Sequence, residues 1–374
     1  MSITLLGALL VAGLVGPILR IPKRFGLPVA VGELLIGGVL GHSGFSKIPT
    51  TDPTLTLLAT IGFALLMFTA GSHIDYRSFT KKAFGTLYKI LAANAVVAVA
   101  LSLAIEHLAH FPNWKLLAII SFSSSAAFVI PIVAYTKRDL HLEILIAQVT
   151  VADALSFMAL PLFTQRADQL RAITGSLVVL AATLVIYGLL LLAKKFGYLD
   201  RVHDVSKVDH LGVELRISLA LLLLVAGLAL RFHASVMVAG FSLGVALATI
   251  GVPHRLARQL FGVSDGFFAP LYFVWLGASI NIRSTFHSRD AILLATLLLV
   301  AAILVHAPAL IFKQPFAHVF LASGQLGIPA AAVTLGIANG VLDQAQSGAI
   351  MLAAICTLIV PTLFNNKASA GVSN

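Results

Sequence analysis

Apolar runs of about twenty residues recur along this chain, separated by short polar stretches. Such a run crosses a bilayer as one helix, because hydrocarbon offers no partner to an unpaired N–H or C=O. Thirteen segments are read, near 3–19, 27–41, 54–72, 85–109, 116–135, 142–163, 170–193, 211–230, 234–250, 266–282, 290–312, 316–337 and 345–365. No connecting stretch is long enough for a soluble domain. Charged residues make up 11% of the 374-residue chain, against roughly 25% in an ordinary soluble domain. The expectation is an all-α polytopic membrane protein with 13 transmembrane helices. It forms one membrane domain over 1–366, with 367–374 as a short cytoplasmic tail.

The net charge of +10 would suggest nucleic acid in a soluble protein. Here the positive residues sit in the loops, where they report orientation, so a nucleic-acid partner is not expected. Thirteen spans put the termini on opposite sides. With the N-terminus outside, the inner loops hold the pairs Lys23–Arg24, Lys81–Lys82, Lys137–Arg138 and Lys194–Lys195. The outer loops hold only single positive charges between helices, such as Lys47 and Lys115, or widely spaced ones, such as Arg283 and Arg289. The first segment lacks the basic flank of a signal peptide and is read as a retained span. The single cysteine, Cys356, permits no intrachain disulfide.

Two segments are expected to be broken. "SFSSSAAFVIPIVAY" (121–135) and "LASGQLGIPAAAVTLG" (321–336) each carry a small-polar cluster followed by Ile-Pro. Proline interrupts the backbone ladder, and freed backbone groups are tolerated only inside protein or beside a cavity. Matched interruptions in two halves of a chain point to inverted repeats whose broken helices cross at a midplane site.

Asp153 lies in the middle of "ILIAQVTVADALSFMALPLF" (144–163). An acid at that depth costs about 2.5–3.5 kcal/mol on insertion scales and marks function by default. Desolvation disfavours its charged form, so it holds either a proton or a small cation, and not both at once. Thr150 and Ser156 stand three residues on either side and share its helix face. Their hydroxyls suit a hard cation, which takes oxygen ligands.

His306 sits within the eleventh segment, with Pro308 just behind it. It is an accessory candidate, as a cationic partner of Asp153 or a second proton carrier. The plainer alternative is a neutral histidine bonded to a backbone carbonyl freed by Pro308. Glu33, inside the short second segment, faces either a watery funnel or a neighbouring helix. Gln325, at the second break, either satisfies freed backbone groups or ligates an ion, and His318 flanks it. His73, Asp75 and Arg77 read as a solvated ion pair at an inner helix end.

Two motif matches carry no weight. "GFSLG" (240–244) lacks the strand–turn–helix setting of a nucleophile elbow. An intramembrane aspartyl protease would need a second facing acid. No zinc spacing or P-loop is present, so an enzyme is not expected.

Several stretches resemble the bacterial monovalent cation:proton antiporter families, the NapA-like and KefC-like exchangers. They are "RFGLPVAVGELLIGGVLG" (24–41), "IGFALLMFTAGSHIDYRSF" (61–79), "SSAAFVIPIV" (124–133) and "VSDGFFAPLYFVWLGASINI" (263–282). Together they follow the family's order over nearly the whole chain. The resemblance implies a homodimer working by elevator-type alternating access. It implies a mobile core over about 54–163 and 290–365, and dimerisation helices over about 3–41 and 170–282. The broken helices 116–135 and 316–337 lie within that core, and the family's ion-binding Asp falls on Asp153.

This sequence departs from the family's pattern at three places. Ala152 replaces an Asn or Asp, Gln325 replaces a Glu, and His306 stands where the family has a tenth-helix Lys. One carboxylate exchanging one proton for one monovalent cation moves no net charge, so electroneutral 1:1 exchange is expected unless His306 also carries a proton. The resulting expectation is a Na⁺/H⁺ or K⁺/H⁺ antiporter of a bacterial inner membrane, with no cofactor beyond the transported ions. Asp153 would be the shared site, with Thr150, Ser156, Ser124 and Ser125 as oxygen donors. The alternatives are a sodium-coupled organic-anion symporter, and a non-transporting sensor or channel on the same scaffold.

Overall fold

The computed structural model describes residues 2–20, 28–72, 81–133, 139–164, 169–199, 201, 212–232, 234–251 and 254–370. The regular elements among the described residues are all helices. In chain order these are α1 (Ile3–Gly13), α2 (Val15–Arg20), α3 (Val29–Leu40), α4 (Pro53–Ser72), α5 (Lys81–Leu108), α6 (Trp114–Phe122), α7 (Ala126–Val133), α8 (Leu140–Phe163) and α9 (Gln169–Lys195). They continue as α10 (Val213–Arg231), α11 (Val236–Ile250), α12 (His254–Val263), α13 (Ala269–Ser279), α14 (Ile282–His287), α15 (Arg289–His306), α16 (Phe316–Ala322), α17 (Gly327–Ala338) and α18 (Gln344–Ala370). A π turn, Ser264–Phe268, joins α12 to α13, and a 3-10 turn, Ala307–Leu310, follows α15.

Among the described residues, eight helices are long and apolar enough to cross a membrane. Four shorter apolar helices accompany them: Ile3–Leu19, Val29–Leu40, Val236–Ile250 and Gln344–Ile359. The stretch near 116–135 is absent from both sets because it is divided between α6 and α7. The first half of the expected C-terminal tail, 367–370, is helical, since α18 runs on to Ala370. His73, Asp75 and Arg77 lie outside the described residues.

Polar side chains mark where several helices begin. The Asp52 carboxylate accepts from the N–H groups of Thr54 and Leu55 at the start of α4. Ser235 caps α11 and Ser288 caps α15 in the same way. Each cap satisfies a donor that the first helical turn leaves without a partner.

Packing divides the chain into two units. One comprises Met1–Leu10, Thr51–Asp75 and Ala167–Tyr272. Its buried cluster joins Leu65 and Phe68 of α4 to Leu222 and Val225 of α10, and to Ala239 and Leu243 of α11. Helices α4 and α11 approach closely enough to touch backbones. A Cβ on Gly244 would lie 2.1 Å from the Phe68 carbonyl oxygen, and one on Gly240 would lie 2.4 Å from that of Ala64. Small residues are what permit such approach between membrane helices.

The other unit comprises Val11–Thr50, Tyr76–Arg166 and Phe273–Asn374. It contains both interrupted segments and α8, the helix of Asp153. Both ends of α8 are secured by side chains. At its start the Asp139 carboxylate accepts from the Leu142 N–H at 2.8 Å. At its end the Asn113 amide donates to the Phe163 carbonyl at 2.9 Å, and the Asn339 amide donates to the Thr164 carbonyl at 3.0 Å. These bonds hold α8 lengthwise against α6 and α17.

Candidate cation site

The two interruptions are real and fall where the small polar residues cluster. Helix α6 ends at Phe122, residues 123–125 are non-helical, and α7 begins at Ala126. Helix α16 ends at Ala322, and α17 begins at Gly327. The prolines come after the breaks and do not make them. Pro329 is the third residue of α17, where its missing N–H would have had no intrahelical partner. The serines and glycines break the segments because they bond readily to nearby backbone or take non-helical angles at little cost.

The interruptions are bonded to each other. The Ser125 N–H donates to the Gly324 carbonyl at 2.9 Å. The Ser124 hydroxyl donates to the Ala322 carbonyl. The Gln325 side-chain amide donates to the Ser121 carbonyl at 3.1 Å and to the Ser123 carbonyl at 2.9 Å. The Gln325 N–H donates to Thr357 Oγ1 on α18 at 3.1 Å, and that hydroxyl donates to the Ala354 carbonyl at 2.7 Å. A buried carbonyl without a partner costs about 1–3 kcal/mol, so Gln325 and Ser124 offset much of what the broken ladders lose. Thr357 escaped the sequence reading; its one signal was a lone hydroxyl in the apolar run "ICTLIV".

Asp153 faces the first break. The Ala126 N–H, at the first turn of α7, donates to Asp153 Oδ2 at 3.3 Å. Helix N-termini carry partial positive charge and suit a carboxylate there. The residue as a whole is half-buried, yet its other oxygen, Oδ1, is sealed from solvent and has no hydrogen-bond partner. One turn along α8, Ser156 Oγ is likewise buried and unpartnered. Thr150, one turn in the other direction, is 4% exposed. Ser125, which precedes Ala126 in the chain, is also buried.

His306 is fully buried at the end of α15. Its Nδ1 lies 2.7 Å from the Ala302 carbonyl, which only accepts, so Nδ1 carries the hydrogen of that bond. Its Nε2 lies 3.2 Å from the Ser124 hydroxyl. The carbonyl it meets is therefore one turn back on its own helix, and not one released by Pro308. Its side-chain partner is Ser124, and no bond from His306 to Asp153 is among the described contacts. Ser124 thus has two polar neighbours, the Ala322 carbonyl and His306 Nε2, and one hydroxyl hydrogen to offer between them, in contrast to Ser156 and Asp153 Oδ1, which have none.

Glu33 is buried on α3, with its Cγ close to Gly16 of α2. His318 Nδ1 meets Gln314 Oε1 at 3.1 Å, near the start of α16. No group of three or more His, Cys, Asp or Glu side chains suited to a metal exists among the described residues.

A model of the sodium/hydrogen exchanger transmembrane domain matches residues 9–366. The chain belongs to the sodium/hydrogen exchanger family. The resemblance drawn from the sequence motifs holds, and the family together with the apolar helices makes this a multi-pass membrane protein. Among relatives of this exchanger chain, a putative Na⁺/H⁺ antiporter, YjbQ of Bacillus subtilis (strain 168), is 25% identical over 97% of the chain. The chain spans 62% of that relative's length. The probable Na⁺/H⁺ antiporter 3 of Methanocaldococcus jannaschii is also 25% identical, over 75% of this chain and 73% of its own. The solved structure of the sodium proton antiporter MjNhaP1 from Methanocaldococcus jannaschii superposes with a TM-score of 0.67 and 17% identity, covering 98% of both chains. That likeness establishes the exchanger fold.

Proposed function

We propose that the chain is a monovalent cation/proton antiporter in which Na⁺ or K⁺ and H⁺ compete for Asp153. The observation that carries this is the state of that carboxyl. One oxygen is held by the Ala126 N–H, while the other is buried and has no partner. A buried oxygen left so is costly, and either a bound proton or a cation relieves it. Ser156 Oγ, also unpartnered, and Thr150 stand on the same side of α8 as donors. Ser125 and Ser124 line the adjoining break, where Ser124 also steadies the backbone.

With one exchanging carboxylate, the reading is electroneutral 1:1 exchange by elevator-type alternating access through thirteen membrane helices in inverted repeats. The protein would work as a homodimer in a bacterial inner membrane, N-terminus outside and C-terminus inside. The interleaved bonding of the two breaks favours their travelling as one body.

The test is proton flux in proteoliposomes under an imposed pH gradient, with Na⁺, K⁺ and Li⁺ added in turn and the membrane voltage clamped or free. Cation-evoked flux that ignores voltage and disappears in Asp153→Asn, with that variant still folded, is the expected result. Flux retained in Asp153→Asn would overturn the proposal.

A further inference from the structure

The apolar length of α5 contains one amide, Asn94, which is 1% exposed, and α8 contains another, Gln148, at 2%. Neither belongs to the ion site. With the Asn94 amide nitrogen facing carbonyls, it donates to Val305 of α15 at 2.9 Å and to Ile90 of its own helix at 3.1 Å. Its oxygen then accepts from Gln148 Nε2 at 3.2 Å. Val305 is among the last four residues of α15, whose carbonyls lack intrahelical partners. One side chain thus joins three helices of the same unit, and its donors are fully used.

We infer that Asn94 and Gln148 are a positioning pair that sets the rotation of α8, and so the aim of Asp153. The end bonds from Asp139, Asn113 and Asn339 fix α8 along its axis but leave its rotation to lateral contacts. Most of the residues that α8 buries are apolar, and apolar contact is non-directional. The Gln148–Asn94 bond is directional. On an ideal helix Gln148 lies about 80° around from Ser156 and further from Asp153. It therefore acts from the flank of the site, where a bond can govern rotation without meeting the ion. The same amide holds the Val305 carbonyl, next to His306 and hence to the residue that meets Ser124. Both walls of the first break refer back to Asn94.

The transport side of this inference rests on the antiporter reading, so its test has two readouts. Full-length protein is prepared as wild type, Asn94→Gln, Gln148→Asn and the double length swap, Asn94→Gln with Gln148→Asn. The rate at which the hydrophobic reagent dicyclohexylcarbodiimide labels Asp153 is measured by peptide mass spectrometry in detergent. The KM for Na⁺ is measured in proteoliposomes. Each single variant is expected to change labelling about three- to tenfold and to raise the KM by a similar factor. The double swap keeps the summed length of the pair and is expected to return both to within about twofold of wild type. Should a single variant fail to fold, the swap must still fold and match wild type. Singles that behave as wild type, or a swap worse than either single, overturn the inference. A wild type that labels at Asp153 but exchanges no cation overturns the antiporter reading alone, and the labelling series still decides the role of the pair.

Discussion

The Ser125 N–H and the Gly324 carbonyl, 199 residues apart in the chain, meet at 2.9 Å and tie the two interrupted helices together at the level of the backbone. With the bonds of Ser124 and Gln325, it makes one local structure of two breaks beside Asp153. Ser125 precedes Ala126, whose N–H holds the Asp153 carboxylate.

Gly324 itself has no room to grow. A Cβ there would fall 2.5 Å from the Phe128 ring. Gly324→Ala should push that ring and the first turn of α7 away, at about 1–3 kcal/mol in stability. A lowered thermal midpoint together with a raised cation KM is expected, and an unchanged KM would separate α7 from the site.

Gln325 donates both hydrogens of its amide to carbonyls. Gln325→Met keeps the length and removes the donors, leaving the Ser121 and Ser123 carbonyls buried without partners. A loss of about 1–3 kcal/mol is expected for each carbonyl that water does not reach, read as a fall in thermal midpoint. Gln325→Glu should fare no better at neutral pH, because a carboxylate presents oxygen to oxygen.

Ser156 offers the opposite contrast. Its hydroxyl is buried and has no protein partner, so Ser156→Ala should leave the thermal midpoint unchanged or raise it slightly. If the hydroxyl ligates the cation, the KM rises several-fold while maximal flux holds. A variant that loses stability but keeps its KM would assign the hydroxyl to packing.

Competition at Asp153 has a sign that can be measured. As pH falls, protons occupy the carboxyl and more cation is needed to displace them. The apparent KM for the cation should rise toward about tenfold per pH unit at the acid end. Saturating cation should erase that dependence. A KM independent of pH while flux changes would place the proton and the cation on different groups.

The membrane class, the positions of the breaks and the isolation of Asp153 were legible because each is a local property of the sequence. Hydropathy marks a span, clustered serines and glycines mark a weak helix, and one acid in an apolar run stands out. What escaped depends on pairing across long separations. Asn94 in "LAANAVVAVA" and Gln148 in "LIAQVTVADA" are each a single amide in an apolar stretch, and nothing local says that they meet. The partner of His306 was similarly hidden, since only the folded chain brings Ser124 against it. The roles of the prolines were misassigned because an Ile-Pro pair is conspicuous, while the serine and glycine clusters before it cause the interruption.

The glycines between α4 and α11 have a consequence of another kind. Gly71, Gly240 and Gly244 bring carbonyl oxygens of the facing helix to within 2.3, 2.4 and 2.1 Å of where a Cβ would stand. At these points the nearest facing atoms are backbone, so water has few side chains to displace there. A membrane that stores work as an ion gradient is discharged by any continuous aqueous thread. Along this seam the close approach of the backbones leaves little room for such a thread.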